Sequence, residues 1–338
     1  MAAKYRPRLK LLESERAIKF IKDDFERRLA RALNLTRVSA PIVVTRASGV
    51  NDYLNGVERP VRFDVPSVDN EVEVVQSLAK WKRTALADYG IKRGDGIYTD
   101  MNALRRDEVV DHLHSVYVDQ WDWERVINPG ERNLRFLKSI VKKIYRTICA
   151  TEQAVHRSYP RLGMPALQRD IHFVHAEELF ERYPKLFPAQ REHAICKEKG
   201  AVFVIGIGAP LPDGSLHDGR APDYDDWWTI NETGRRGLNG DILVWNPVLK
   251  SAFELSSMGI RVDESSLREQ LKMCKRKELT PFHKRVLKHE LPLSIGGGIG
   301  QSRLCMLFMR AAHIGEVQSS VWPPSMRRNC QKKGIALL

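Results

Sequence analysis

The sequence predicts an α+β fold in which an antiparallel β-sheet is flanked by helices. Two long stretches carry apolar residues at helical spacing, and several short apolar runs rich in β-branched residues read as buried strands. The two kinds are segregated rather than alternating as βαβα, which argues against a parallel doubly wound sheet.

The first helix is predicted over Leu11 to Leu33, where Leu11, Ile18, Ile21, Phe25 and Leu29 form one stripe. A strand is expected over Val38 to Val44. A strand with two faces is expected over His114 to Glu124, and a second long helix through Leu134, Leu137, Val141, Ile144, Tyr145 and Ile148. Ala201 to Ile207 and Ile242 to Trp245 read as buried strands, separated by a loop at Gly208 to Gly214 where Gly, Pro and Asp cluster. A short apolar helix is expected over Leu304 to Met309. No repeat, low-complexity segment or linker divides the chain, so residues 1–338 are expected to form a single catalytic domain, with residues 1–10 as a flexible lead-in.

Composition narrows the function classes. A hydrophobic fraction of 43% supports a proper core, and no apolar run is long enough to cross a bilayer. The basic N-terminus lacks the apolar segment of a secretory signal. The five cysteines include no Cys-x-x-Cys pair, the usage of a reduced compartment, and a cytoplasmic protein is expected. The net charge of +13 is spread along the chain without a basic tail or an aromatic-interleaved block. That favours a surface attracting small anions over a nucleic-acid site. His112-x-His114 and His172-x-x-His175 lack the spacing of a zinc site.

Three pieces point to phosphate chemistry. Gly298-x-Gly300-x-x is followed by Arg303, where a dinucleotide fingerprint would have a third glycine, and no Gly-Lys-Ser/Thr is present to make a Walker loop. Such a turn brings backbone close to a ligand. A helix start carrying an arginine would aim amide dipoles and a guanidinium at one anion. Arg105 and Glu108 follow Tyr98 to Leu104, an arginine suited to an α-phosphate beside a carboxylate suited to an adenine amino group. Asp241 and Glu254 fall on what read as neighbouring strands, an oxygen pair suited to Mg²⁺.

The strand from His114 to Glu124 places Gln120, Asp122 and Glu124 on one face and Asp119, Trp121 and Trp123 on the other. Burying the first set is costly unless it binds something. The flanking tryptophans argue that the strand is central, so a polar pocket floor receiving an ammonium group is expected.

Together these pieces resemble the catalytic core of class II aminoacyl-tRNA synthetases, especially the aspartyl type. Leu35-x-x-Val38-x-x-Pro41 is similar to their dimer-forming first motif, Leu104-Arg105 to Glu108 to the second, and Gly298 to Arg303 to the third. Longer blocks at Ser77–Arg83, His114–Arg125, Arg220–Trp227, Gly237–Leu249 and Phe253–Arg261 resemble the asparagine synthetase A family.

That resemblance implies a class II synthetase-like homodimer. Its reaction would join L-aspartate and ammonia at the expense of ATP, giving L-asparagine, AMP and pyrophosphate through a β-aspartyl adenylate. It implies Mg²⁺ as cofactor, held by Asp241 and Glu254. Arg105, Glu108, Tyr224, Asp225, Asp241, Ile242, Glu254, Arg261 and Arg303 would serve the nucleotide, although spacing does not separate Asp225 from Asp223 and Asp226. Ser77, Lys82, Gln120, Asp122, Ser256 and Ser257 would surround the amino acid. Asp52, Arg105, Gln120 and Arg303 would be catalytic, with Asp52 receiving the ammonium ion and Gln120 orienting it. Lys82 is expected to meet the substrate α-carboxylate, with Arg83 as the alternative if the register slips by one. Neither nucleic acid nor a membrane is an expected partner.

Rival readings are a tRNA-charging enzyme, for which no length is left over for an anticodon-binding domain, and an inactive paralogue, against which Arg105, Arg303, Asp241 and Glu254 speak. A glutamine-dependent synthetase is a third, but residue 2 is Ala and none of the cysteines lies in a glutaminase context.

Overall fold

A computed structural model describes residues 5–54, 58–68 and 71–338. The chain runs α1 (Leu11–Leu33), β1 (Leu35–Arg37), β2 (Val43–Thr45), β3 (Arg62–Phe63), β4 (Val72–Val74), α2 (Ala79–Asp88), β5 (Gly96–Leu104), β6 (Tyr117–Val126), α3 (Leu134–Ser158) and β7 (His172–His175). It continues with α4 (Ala176–Arg182), α5 (Pro188–Lys199), β8 (Ala201–Ile205), β9 (Asn239–Asn246), β10 (Ser251–Ile260), α6 (Glu264–Met273), α7 (Pro281–Leu287), β11 (Ser294–Gly300), α8 (Gln301–Phe308) and α9 (Pro324–Lys333).

The main sheet has the order β1-β5-β6-β11-β10-β9-β8-β7. Its inner strands pair antiparallel, as expected, while the two edges, β1 on β5 and β7 on β8, are parallel. A smaller antiparallel sheet, β2-β4-β3, carries the segment that leads into the site. Of the strand expected over Val38 to Val44, only Val43 and Val44 form one, in β2; residues 38–42 are the gap after β1, which stops at Arg37. Pro41, in the gap, has no amide to donate to a ladder, and Val38 makes one last backbone bond to Tyr98 O at 2.9 Å.

One face of the main sheet is covered by α1, α3 and α8. Ile21, Phe25 and Leu29 of α1 and Leu137, Val141, Ile144 and Ile148 of α3 are fully buried, so the helical stripes read from the sequence are the packed faces. α1 stops at Asn34, whose left-handed φ of 57° is the kind of cap asparagine tolerates. Trp121 and Trp123 enter this core, with the Phe25 ring tilted against Trp121 at 4.6 Å between centres. By strand alternation Gln120, Asp122 and Glu124 must face the other side, and they do. A second cluster at the far edge joins Val202 and Val204 of β8 to Ile195 and Cys196 of α5.

Of the expected lead-in, residues 1–4 lie outside the described residues. From Tyr5 onward the chain is tied down: the Tyr5 hydroxyl donates to Glu316, Arg8 donates to Leu162 O at 2.6 Å, and Leu9 is buried.

Candidate active site

The face of the sheet opposite α1 and α3 opens into a cavity of about 470 Å³, within the usual range for a small-molecule site. Asp52, Ser77, Lys82, Arg105, Glu108 and Gln120 line it, as do Asp122, Tyr224, Asp225, Glu254, Ser256, Ser257, Arg261 and Arg303. Two of the expected residues do not. Ile242 is fully buried in the core under the sheet, and Asp241 lies behind Arg220.

The floor is built from β6, β11 and α2. Lys82 projects from α2 and is fully buried. It donates to Asp122 of β6 and, at 2.8 Å, to Gly297 O of β11. Burial pulls its ammonium pKa below the usual lysine range even though Asp122 opposes this. The second Asp122 carboxylate oxygen is buried and has no partner among the described residues. Arg83, the alternative to Lys82, turns away from the cavity and donates to Pro292 O and Val262 O at 3.0 and 2.7 Å. Ser77 Oγ accepts from Ala79 N at 3.2 Å at the start of α2. Ser256 Oγ donates to Gly298 O at 2.9 Å, locking β10 to β11 across the floor.

A buried ionic group supports this floor. Arg261 reaches Glu124 through Nε at 2.9 Å and Nη2 at 2.7 Å, and also pairs with Asp225. The Ser294 hydroxyl donates to the same Glu124 at 2.7 Å. Burial would push the Glu124 pKa up, but Arg261, Lys82 and Ser294 outweigh it and hold it below the ordinary range. Of the three neighbouring acids, Asp223 pairs with Lys80 at 3.1 Å and His283 at 2.9 Å. Asp226 is buried against Arg132 and Thr229. Asp225 is the one that lines the cavity.

The opposite wall is cationic. Arg303 donates to Glu254 Oε2 at 3.2 Å and to Glu254 O at 3.1 Å, and meets His114 Nε2 at 3.0 Å. Arg105 stands 3.9 Å from Glu108, and its Nε has no partner among the described residues. The start of α8 differs from expectation. Asp119 accepts from Ser302 N at 3.0 Å and Ser302 Oγ at 2.8 Å, so a first-turn amide is already capped. That leaves the Arg303 guanidinium, rather than a free first-turn amide at Ser302, as the group at this helix start suited to an anion. Tyr224 lines the same wall, with Arg261 5.8 Å from its ring centre.

The sequence reading gave no role to Arg220 or His114, though both lie inside blocks that carried the resemblance. Arg220 donates to Asp241 at 2.6 Å, and its Nε stands 3.7 Å from Asp225 without a hydrogen-bond partner among the described residues while the side chain lines the cavity.

A register shift between Glu254 and Ser256 puts two β10 residues opposite Ile242. It turns Glu254 and Ser257, three residues apart, to the face on which Asp241 sits. Burial and the nearby Glu254 push the Asp241 pKa up, against Arg220, whereas Arg303 and Arg220 overcome burial to hold Glu254 down. Two hard oxygen donors that repel each other beside a wall of arginines suited to phosphates fit a Mg²⁺ ion completed by phosphate oxygens. Among the described residues no group of three or more His, Cys, Asp or Glu could hold a metal without such help.

The family model described as aspartate-ammonia ligase matches residues 12–334. The chain is 55% identical to the aspartate–ammonia ligase of Parabacteroides distasonis, covering 99% of this chain and 98% of that protein. It is also 55% identical to the Clostridium tetani aspartate–ammonia ligase, over 99% and 96% of the two chains. Among solved structures, asparaginyl-tRNA synthetase from Pyrococcus horikoshii with asparaginyl-adenylate superposes with a TM-score of 0.67 at 14% identity, over 92% of this chain and 70% of that one. Aspartyl-tRNA synthetase from Entamoeba histolytica gives 0.63 at 14%, over 92% and 58%. These two likenesses show the class II synthetase fold.

Proposed function

The chain belongs to the aspartate–ammonia ligase family and makes L-asparagine from L-aspartate, ammonia and ATP; on that premise we propose that it does so through a β-aspartyl adenylate, releasing AMP and pyrophosphate. The observation that carries this reading is the charge layout of one cavity. Its floor offers a free carboxylate oxygen at Asp122 beside the ammonium of Lys82, and its wall offers Arg105, Arg220 and Arg303. A zwitterionic amino acid fits the floor, and a triphosphate fits the wall.

Asp122 receives the substrate amino group, and Lys82 directs its remaining N–H to the α-carboxylate. Ser77, Ser256, Ser257 and Gln120 bound the space around them. The β-carboxylate is then left facing the nucleotide. It attacks the α-phosphorus, a P–O bond forms, and pyrophosphate leaves with the electrons of the broken bond. Arg105 is the donor for charge gathering on the α-phosphate oxygens, a role worth about 3 kcal/mol in comparable sites. Arg303 and Arg220 hold the remaining phosphates, Tyr224 and Glu108 the base, and Arg261 with Asp225 keeps the floor in register. Asp241 and Glu254 would hold Mg²⁺ with the phosphates, where its charge would offset theirs. Asp52 receives ammonium and takes its proton before attack on the adenylate.

A homodimer through the Leu35-x-x-Val38-x-x-Pro41 segment is supported by Ile42 and Val43, which stand 59% and 40% exposed beside it. The five free cysteines support a cytoplasmic setting.

Purified protein incubated with aspartate, Mg-ATP and ammonium chloride is expected to yield AMP, pyrophosphate and asparagine in equal amounts. ADP in place of AMP would overturn the adenylate route.

A further inference from the structure

Two acceptor oxygens lining this cavity have no hydrogen-bond partner among the described residues. Asp52 is 1% exposed and Gln76 fully buried, yet both line the cavity. Asp52 Oδ1 accepts from Leu54 N at 3.0 Å, while Oδ2 has no partner among the described residues. The Gln76 backbone N–H donates to Asn51 Oδ1 at 3.0 Å, and its Nε2 donates to Asp52 O at 3.1 Å. Its Oε1 has no partner either. The amide cannot be turned over without setting Oε1 against the Asp52 carbonyl oxygen, so the acceptor is the end left free.

Of the cations whose charge reaches Asp52, Arg105 makes no ion pair with it, and the lysines around it are committed elsewhere. Lys80 is paired with Asp223 and Lys82 with Asp122, and among the described residues Asp52 has no ion pair. Asp52 and Gln76 are tied together by the bond from Gln76 Nε2 to Asp52 O, and leaving a buried carboxylate oxygen and a buried amide oxygen without donors in one cavity is costly. A ligand that only donates would relieve both.

We propose that Gln76 Oε1 and Asp52 Oδ2 together form the ammonium site of the enzyme, with Gln76 a direct ligand of the nitrogen. This rests on the adenylate reading above and deepens it. It moves the orienting role expected of Gln120, whose side chain lies over Gly298 on the floor, to Gln76. Ammonium carries four N–H donors and no acceptor, which matches a pair holding two acceptors and one negative charge. One N–H bond breaks and its proton passes to Asp52 Oδ2. The freed lone pair forms the bond to the β-carbonyl carbon. The carbon–oxygen bond to AMP breaks, AMP keeps its electron pair, and the second proton is released to solvent as the amide forms. Potassium, similar in size and without N–H bonds, competes for the same oxygens.

The test measures AMP formation against ammonium chloride at constant ionic strength for wild type, Gln76→Met and Gln76→Glu, together with aspartate-dependent pyrophosphate–ATP exchange. In Gln76→Met the ammonium KM is expected to rise about tenfold or more, the loss of one charge-assisted hydrogen bond. Exchange and the aspartate and ATP KM values should stay within about twofold of wild type. Potassium should inhibit the wild type competitively against ammonium and inhibit Gln76→Met less, and Gln76→Glu, which protonated keeps both an acceptor and an O–H donor toward the Asp52 carbonyl oxygen, should retain ammonium binding. An unchanged ammonium KM in Gln76→Met overturns the proposal. So does a parallel loss of every constant in both variants, which would mark Gln76 as structural only. Asparagine synthesis without any exchange in wild type would overturn the adenylate reading instead, and the ammonium KM would still decide this one.

Discussion

Lys82 and Asp122 form a buried ion pair on the cavity floor in which neither partner is saturated. Lys82 spends two donors, on Asp122 and Gly297 O, and Asp122 keeps one oxygen free. The pair therefore presents one donor and one acceptor side by side, the complement of an α-amino acid's two charged groups.

Replacing Lys82 by Met is expected to raise the aspartate KM by at least about tenfold while the ATP KM stays within about twofold, since one charged contact is lost on one substrate only. The same change leaves Asp122 buried without its partner and should cost about 3–5 kcal/mol in urea unfolding. Adding Asp122→Asn should recover much of that stability and none of the aspartate affinity. Equal rises in both KM values would refute the assignment.

The glycine run separates stability from turnover. A Cβ at Gly296 would lie 1.8 Å from Glu124 Oε2 and 2.6 Å from Arg261 Nη2, inside the ionic group that props the floor. Gly296→Ala is therefore expected to destabilise by about 1–3 kcal/mol or more, as overpacking does. A Cβ at Gly298 would instead meet Gln120 Oε1 at 2.4 Å, the free end of a flexible chain. Gly298→Ala should unfold within about 1 kcal/mol of wild type and still lose activity, because Gln120 is displaced. Urea titrations beside initial rates distinguish the two.

These glycines also show where the sequence was readable. Alternation along His114 to Glu124 placed Gln120 and Asp122 on the cavity side and the tryptophans in the core, because a central strand leaves no other choice. Helical stripes placed α1 and α3 for the same reason. Arg220 and Gln76 were not readable from spacing. Arg220 is held by Asp241, 21 residues on, and the Gln76 amide by a bond to Asp52 O that only the packed loop fixes. The face shared by Asp241 and Glu254 depends on a bulge at Leu255, which breaks the period of two on which strand reading relies. The capped start of α8 was missed because Asp119 comes from a strand 183 residues away.

Acid should loosen the floor before it alters the helices. Glu124 has a pKa held below the ordinary carboxylate value, chiefly by Arg261 acting against burial. Its contribution is therefore fully present above the unfolded value of about 4.3 and is lost as pH falls through the folded one. Urea midpoints measured from neutral pH down to about pH 3 should drop for wild type at the acid end. Glu124→Gln should start lower and drop less, so the two curves converge in acid. Parallel curves would mean that Glu124 does not titrate with folding.

Asp52 carries the opposite shift. Burial raises its pKa, with Lys80 and Arg105 opposing, so it takes up a proton at higher pH than an ordinary aspartate, whose value is about 3.9. A carboxylate that must accept a proton from ammonium works only when ionised. The rate of the ammonia step, at saturating aspartate and ATP, should therefore fall as pH drops through that raised value. In Asp52→Asn this acid limb should vanish, and turnover should fall about 10²- to 10⁴-fold. Pyrophosphate exchange should persist, because adenylation precedes the need for a base. Loss of exchange together with asparagine formation would place Asp52 in the first chemical step rather than the second.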